Sequence, residues 1–126
     1  MWISFAWTTP ALLAGAKTCT RRTWSGKYAK AFHAGQLVDA YDRQPCYGGK
    51  KVATIRLTAD PYLESTGLMT EQDYIDEGFQ WMEDQGTVMR KLPPRQFFDN
   101  WRDSNELVYV VRFKLLRIIE QEVASG

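Results

Sequence analysis

From Leu107 to Leu116 the side chains alternate without a break. Leu107, Tyr109, Val111, Phe113 and Leu115 fall on one face, and Val108, Val110, Arg112, Lys114 and Leu116 on the other. A period of two carried by β-branched and aromatic residues predicts a β-strand, and a strand must pair its backbone polar groups with neighbours. The chain is thereby committed to a sheet. Candidate partners are Trp2 to Trp7, where Ile3, Phe5 and Trp7 alternate with Ser4 and Ala6, and the threonine-rich Thr18 to Thr23. Gln36 to Arg43 and Lys51 to Leu57 flank Pro45 and Gly48-Gly49, the pattern of a hairpin.

Short helices fit between these strands. Thr9 can cap a helix that begins at Pro10 and ends at Gly15, and residues 27 to 33 can turn with Tyr28 and Phe32 on one side. Thr70-Glu71-Gln72-Asp73 resembles a capping box, with Ile75, Phe79 and Met82 at helical spacing beyond it and Gly78 weakening the helix or ending it early. Pro93-Pro94 opens a helix carrying Phe97, Phe98 and Trp101 on one side. This order does not alternate strand and helix as a parallel doubly wound sheet requires. The expected class is α+β, mainly β: a small barrel or strongly curved, mostly antiparallel sheet with a few short peripheral helices and neighbouring terminal strands. A length of 126 residues with 44% hydrophobic content predicts one domain over 1–126.

Charge is unevenly spread. Residues 1 to 56 hold nine Lys/Arg against Asp39 and Asp42, a balance of +7, whereas the remainder sums to −6 and leaves +1 overall. A local positive field in the first half predicts an anionic partner such as nucleic acid; the alternative is that folding intermixes the two halves. Residues 60 to 84 carry eight acidic residues and no Lys or Arg, so Glu64, Asp73 and Glu77 read as solvated, with the alternative that a loop carrying one of them folds over a binding cleft and supplies an acid there. No apolar run is long enough to span a membrane. Ala11 to Ala16 ends in small residues, yet no basic residue precedes it and Pro10 breaks it, so export is not expected. Cys19 and Cys46 form neither a close pair nor a metal-ligand cluster with His33. Reduced thiols, a cytoplasmic setting, no metal and no cofactor are the expectation.

The densest polar stretch is Gly15-Ala16-Lys17-Thr18-Cys19-Thr20-Arg21-Arg22. A Walker-type phosphate loop is excluded because Ala16 separates Gly15 from Lys17 and Pro10 stands at the upstream glycine position. Gly15, Lys17 and Arg22 instead stand at the spacing of the motif glycine-x-lysine-x-x-glutamate-x-arginine, and in this the chain resembles the ASCH family. The order of elements extends the resemblance through Gly35-Gln36-Leu37-Val38, Val52-Ala53-Thr54-Ile55 and Val108 to Phe113. It implies a PUA-like β-barrel with a cleft beside the lysine that binds RNA, a nucleotide or a modified nucleobase. Some members look like hydrolases, among them a small acetylcytidine amidohydrolase group and proposed nucleases. Thr20 replaces the usual glutamate, as in that amidohydrolase group, where the threonine is the nucleophile and the lysine three residues earlier acts with it.

Two readings of Lys17 and Thr20 follow. In the hydrolase reading a desolvated Lys17 near Arg21 or Arg22 removes the Thr20 proton. That group also uses an inner-strand carboxylate, at a position that falls here on Arg56, and a guanidinium cannot act as that acid. In the binding reading Lys17 and Arg22 contact phosphate or base oxygen, Thr20 hydrogen-bonds, Arg43 and Arg56 line the wall, and Trp24, Tyr41 or Trp7 offers a stacking face. Arg22 pairing with Asp39 or Asp42, and Arg43 and Arg56 on a solvated strand face, are the bland alternatives. A protein-interaction module using Trp81 or Trp101 is a third class.

Overall fold

The computed structural model describes residues 1–119; Glu120 and Glu122, counted in the acidic half, lie outside them. Six strands and five helices run in the order β1 (Trp2–Ser4), α1 (Thr9–Leu13), β2 (Cys19–Arg22), α2 (Gly26–Ala29), β3 (Leu37–Tyr41), β4 (Lys51–Leu57), β5 (Tyr62–Ser65), α3 (Glu71–Asp76), α4 (Phe79–Asp84), α5 (Pro94–Asp103) and β6 (Leu107–Ile118). The strands form a curled mixed sheet, a half-barrel, ordered β1-β3-β4-β6-β2, with β5 also paired to β6. β1 and β3 are parallel and the other pairs antiparallel.

β6 is the organiser because its 12 residues serve three partners. Phe113 to Ile118 pairs with β4, Tyr109 to Arg112 with β2, and Leu107 to Val110 with β5. Bulges between Ala40 and Tyr41 and between Thr54 and Ile55 add the local twist that curls the sheet. The expected hairpin is present as β3 and β4, with Val38 and Ala40 buried and Leu37 exposed.

Three expectations are corrected. The first strand stops at Ser4 because Ala6 takes φ +47° and the chain enters a 3-10 turn, which the Thr8 hydroxyl closes by donating to the Phe5 carbonyl at 2.7 Å. The terminal strands are not neighbours, since β3 and β4 lie between β1 and β6. The single helical face expected for Ile75, Phe79 and Met82 does not form, because the helix takes the early end expected as an alternative at Gly78, whose φ of +90° suits glycine. Ile75 is consequently exposed while Phe79 and Met82 are buried. β5 has no sequence counterpart among the expected elements; four half-polar residues become a strand because β6 offers a free edge.

The buried residues form two clusters. One gathers Ile3, Phe5, Leu12, Phe32, Val38, Ile55, Val111 and Phe113 on the concave face of the sheet. The other gathers Ala11, Met69, Tyr74, Phe79, Met82, Met89 and Phe98 among α3, α4 and α5. Helix α1 joins them, with Leu12 in the first and Ala11 in the second. No helix among the described residues is long and apolar enough to cross a membrane.

Candidate functional site

The strand order ends at β1 on one side and β2 on the other, so the half-barrel has an open seam between these two edges. Arg22 crosses it, donating from Nη2 to the Ser4 carbonyl and from Nε to Thr20 Oγ1 at 3.2 Å. A cavity of about 250 Å³ opens here. Ser4, Lys17, Thr20, Arg21, Arg22 and Glu77 form its polar wall; Phe5, Trp7, Phe79, Phe97 and Trp101 form its aromatic wall. Trp7 holds the aromatic wall together, stacked over Phe79 at 6.4 Å and edge-on to Phe97 at 5.4 Å.

The polar wall is positioned by the turn after α1. Gly15 ends the helix at φ +75°, and the amides of Ala16 and Lys17 donate to the Ala11 carbonyl. Thr18 N then donates to the Asp76 carbonyl at 2.8 Å, fastening the start of β2 to the end of α3. Lys17 is 2% exposed. Its Nζ donates to Glu77 Oε2 at 2.8 Å and to the Glu77 carbonyl at 3.0 Å. Gly78 permits this approach, because a Cβ there would lie 2.8 Å from Ala11 Cβ and 3.2 Å from Lys17 Cβ.

Strand alternation sends Arg21 and Arg22 to opposite faces of β2. Arg21 shares its face with Cys19 and, through the β6 register, with Arg112. There α3, the residue that caps its C-terminus and β5 supply carboxylates: Arg21 Nη1 donates to Glu77 Oε1 at 2.8 Å, and Nη2 lies 3.1 Å from Asp73 Oδ1 and 3.7 Å from Glu64 Oε1. Arg21 Nε and Nη2 are buried without an aligned hydrogen-bond acceptor, so proximity to charge holds them more than directed bonds do. Arg112 Nη2 donates to Asp73 Oδ1 at 3.0 Å, and Nη1 to Asp76 Oδ2 at 3.3 Å. Burial alone would favour the neutral form of Arg21, but the Glu77 carboxylate outweighs it and the guanidinium is raised above its usual value. Burial would likewise raise Asp73; the Thr70 amide and the Arg21 and Arg112 guanidiniums prevail and hold it below the usual carboxylate range. Burial pushes the Cys19 thiol up to about 12, so it is an inert packing group.

Arg22 lies on the other face, half-buried, with its guanidinium 5.5 Å from the Phe5 ring centroid. Among the described residues no carboxylate stands within ion-pair distance of it. Burial pulls it down to about 10, only partly offset by Glu77 and Tyr28. At neutral pH it remains a cation, desolvated and matched only by neutral acceptors.

Lys17, Thr20 and Arg22 thus meet in one cavity. Arg56 does not join them. Ile55 and Leu57 point into the core, so alternation turns Arg56 outward, between Leu37 and Lys114 on the exposed face. Arg43 is exposed in the loop after β3, and Tyr41 is half-buried, edge-on to Trp2 at 6.1 Å. Trp24 lies outside the cavity, stacked on Phe32 at 4.5 Å. Asp73 and Glu77, expected to be solvated, are buried at 6% and 2% exposure because three cations require them. Trp7 lines the cavity as the binding reading expects, and of Glu64, Asp73 and Glu77 the last is the acid that reaches it; Phe5, Phe79 and Phe97 are the site residues sequence reasoning missed, and Trp101, read as a protein-interaction residue, joins them on the aromatic wall. Among the described residues no group of three or more His, Cys, Asp or Glu is arranged to hold a metal ion.

No protein-family model and no curated protein matches the chain. Among solved structures it is similar to protein EF3133 from Enterococcus faecalis V583, described as family-model DUF984. The two are 15% identical, with a TM-score of 0.57 over 93% of this chain and 74% of that one. At this identity the likeness concerns the fold.

Proposed function

We propose that the chain is an ASCH-type, PUA-like domain that binds RNA, or a nucleotide or modified nucleobase, in the cavity at the seam, in a cytoplasmic setting. The observation that carries this reading is Arg22: a half-buried, largely desolvated guanidinium, without a carboxylate within ion-pair distance among the described residues, on the wall of a cavity that aromatic rings also line. A desolvated cation is costly unless an anion meets it, and a ring face is where a base stacks. Specific small-molecule pockets run to about 300–1,000 Å³, so a cavity of about 250 Å³ suits one base with its sugar or phosphate outside. Gly15, Lys17 and Arg22, spaced as in the ASCH motif, support the same assignment. Titration with single-stranded RNA and mononucleotides over a salt series tests it. Arg22→Ala is expected to weaken binding by about tenfold or more and to lower the salt slope by about one. Absence of salt-dependent binding by the unaltered protein overturns it.

One observation favours a second reading. Glu77 places a carboxylate beside Lys17 in the cavity that Thr20 lines, supplying an acid that Arg56 does not. In that reading Thr20 Oγ1 attacks an amide carbonyl or a phosphodiester phosphorus, the hydroxyl proton passes by way of Lys17 to the departing amine or alcohol as the C–N or P–O bond breaks, and water then releases the acyl or phosphoryl group from Thr20. The Thr20 hydroxyl accepts from Arg22 rather than bonding to Lys17, so a substrate would first have to displace Arg22. Incubation with N4-acetylcytidine and with RNA decides: product formed by the unaltered protein and lost in Thr20→Ala supports hydrolysis, and no product in either removes it.

A further inference from the structure

Arg22 and Ser4 line a second hollow as well as the first. It has a volume of about 220 Å³ and lies further along the same seam, bounded also by Trp2, Trp24, Tyr28 and Gln44. The Arg22–Ser4 bridge is therefore a partition with an aromatic hollow on either side. In the second hollow Trp2 and Tyr28 are 38% and 41% exposed. Neither ring hangs loose: Tyr28 stands edge-on to Trp24 at 5.1 Å and Trp2 edge-on to Tyr41 at 6.1 Å. Among the described residues the one acid lining either hollow is Glu77, which Lys17 and Arg21 neutralise. Exposed cations lie next in sequence to the second hollow, Lys27 beside Tyr28 and Arg43 beside Gln44.

The guanidinium itself is only partly used. Nε and one Nη2 hydrogen are engaged by Thr20 and Ser4, and Nη1 donates to no partner among the described residues. A planar fork with donors to spare matches a phosphate oxygen pair. From this geometry we infer that the two hollows are successive base sites on one single-stranded nucleic acid. The linking phosphate lies over Arg22 and the second base against Tyr28 and Trp2. This rests on the proposed reading of the first cavity and adds to it the class of ligand: a strand of at least two nucleotides, for which a free nucleotide is half a ligand.

Calorimetric titration of the four nucleoside 5′-monophosphates and the matching homodinucleotides tests the inference at one fixed salt concentration. At least one dinucleotide is expected to bind more tightly than its mononucleotide, by about fivefold to a hundredfold for one added stacked base. Tyr28→Ala and Trp2→Ala are expected to abolish that gain and leave the mononucleotide's affinity unchanged, whereas Tyr28→Phe keeps the gain. Both rings are partly exposed, so the fold tolerates these changes. Equal binding of mono- and dinucleotide overturns the second site and leaves the first reading standing. A dinucleotide gain that survives both alanine substitutions also overturns it, by placing the second base elsewhere. Binding of neither ligand overturns both readings.

Discussion

Arg21 and Arg22 are adjacent in sequence and both reach the seam cavity, yet β2 sends them to different partners. Arg21 faces α3 and sits among Glu77, Asp73 and Glu64. Arg22 faces the concave side of the sheet and finds a hydroxyl, a carbonyl and a phenyl ring. One cation is consumed by the fold, and the other is held out of water with its charge unanswered. A basic stretch in a sequence is therefore no measure of the charge offered to a ligand; the face of the strand decides it.

The sharpest test removes the carboxylate that the structural side depends on. Glu77→Ala leaves Lys17 buried without its acid and Arg21 with only Asp73 and Glu64 beside it, and a loss of about 3–5 kcal/mol is expected in urea unfolding; a loss under about 1 kcal/mol would show that the pairing does not hold the helices to the sheet. Gly78→Ala forces a side chain into φ +90° and against Ala11 Cβ. About 1–3 kcal/mol of destabilisation is expected in the same measurement, and an unchanged midpoint would mean that the helix break is not required.

The comparison itself is tested by treating the two arginines alike. Arg21→Met is expected to destabilise, since it strands Glu77 and Asp73, whereas Arg22→Met is expected to be neutral or stabilising because it relieves an unpaired desolvated cation. Only the second is expected to abolish nucleic-acid binding without loss of fold. The reverse order of stabilities would break the distinction.

Acid provides a gentler probe. Asp73 is held below its ordinary value in the folded protein, so its contribution is present above about pH 4, the unfolded range. It is lost as pH falls through the lower folded value. Asp73→Asn should therefore flatten the acid limb of the stability profile and leave the slope above pH 6 unaltered. The smallest effect is expected from Arg56→Ala: within about 0.5 kcal/mol in stability, and none on binding, as befits an outward-facing residue.

Local chemistry was legible wherever it depended on near neighbours. The Thr70–Asp73 capping box forms as read, with reciprocal bonds of 3.3 and 2.8 Å. The β3–β4 hairpin, the β2 segment, the Pro94 helix start and the long β6 are likewise where period and punctuation put them. Of the site, Lys17, Thr20 and Arg22 were legible because a single short segment carries all three. Arg56 was misplaced because period two yields two faces without saying which is inside. Glu77 was read chiefly as solvated because an acid in an acidic run looks so until a buried lysine 60 residues away claims it.

What the sequence determined by itself was most of the elements, β5 excepted, and the residues of the β2 segment, because hydrogen-bonding period, capping and turn chemistry act over a few residues. Only the tertiary structure decided that β1 and β2 would become the two unclosed edges of the sheet, that Arg22 would bridge them, and that the acidic helices would neutralise Arg21 rather than Arg22. Those outcomes depend on strand order and on which face each helix covers. Both are settled by packing two clusters against one another across α1, a long-range free-energy balance that no short stretch of the chain encodes.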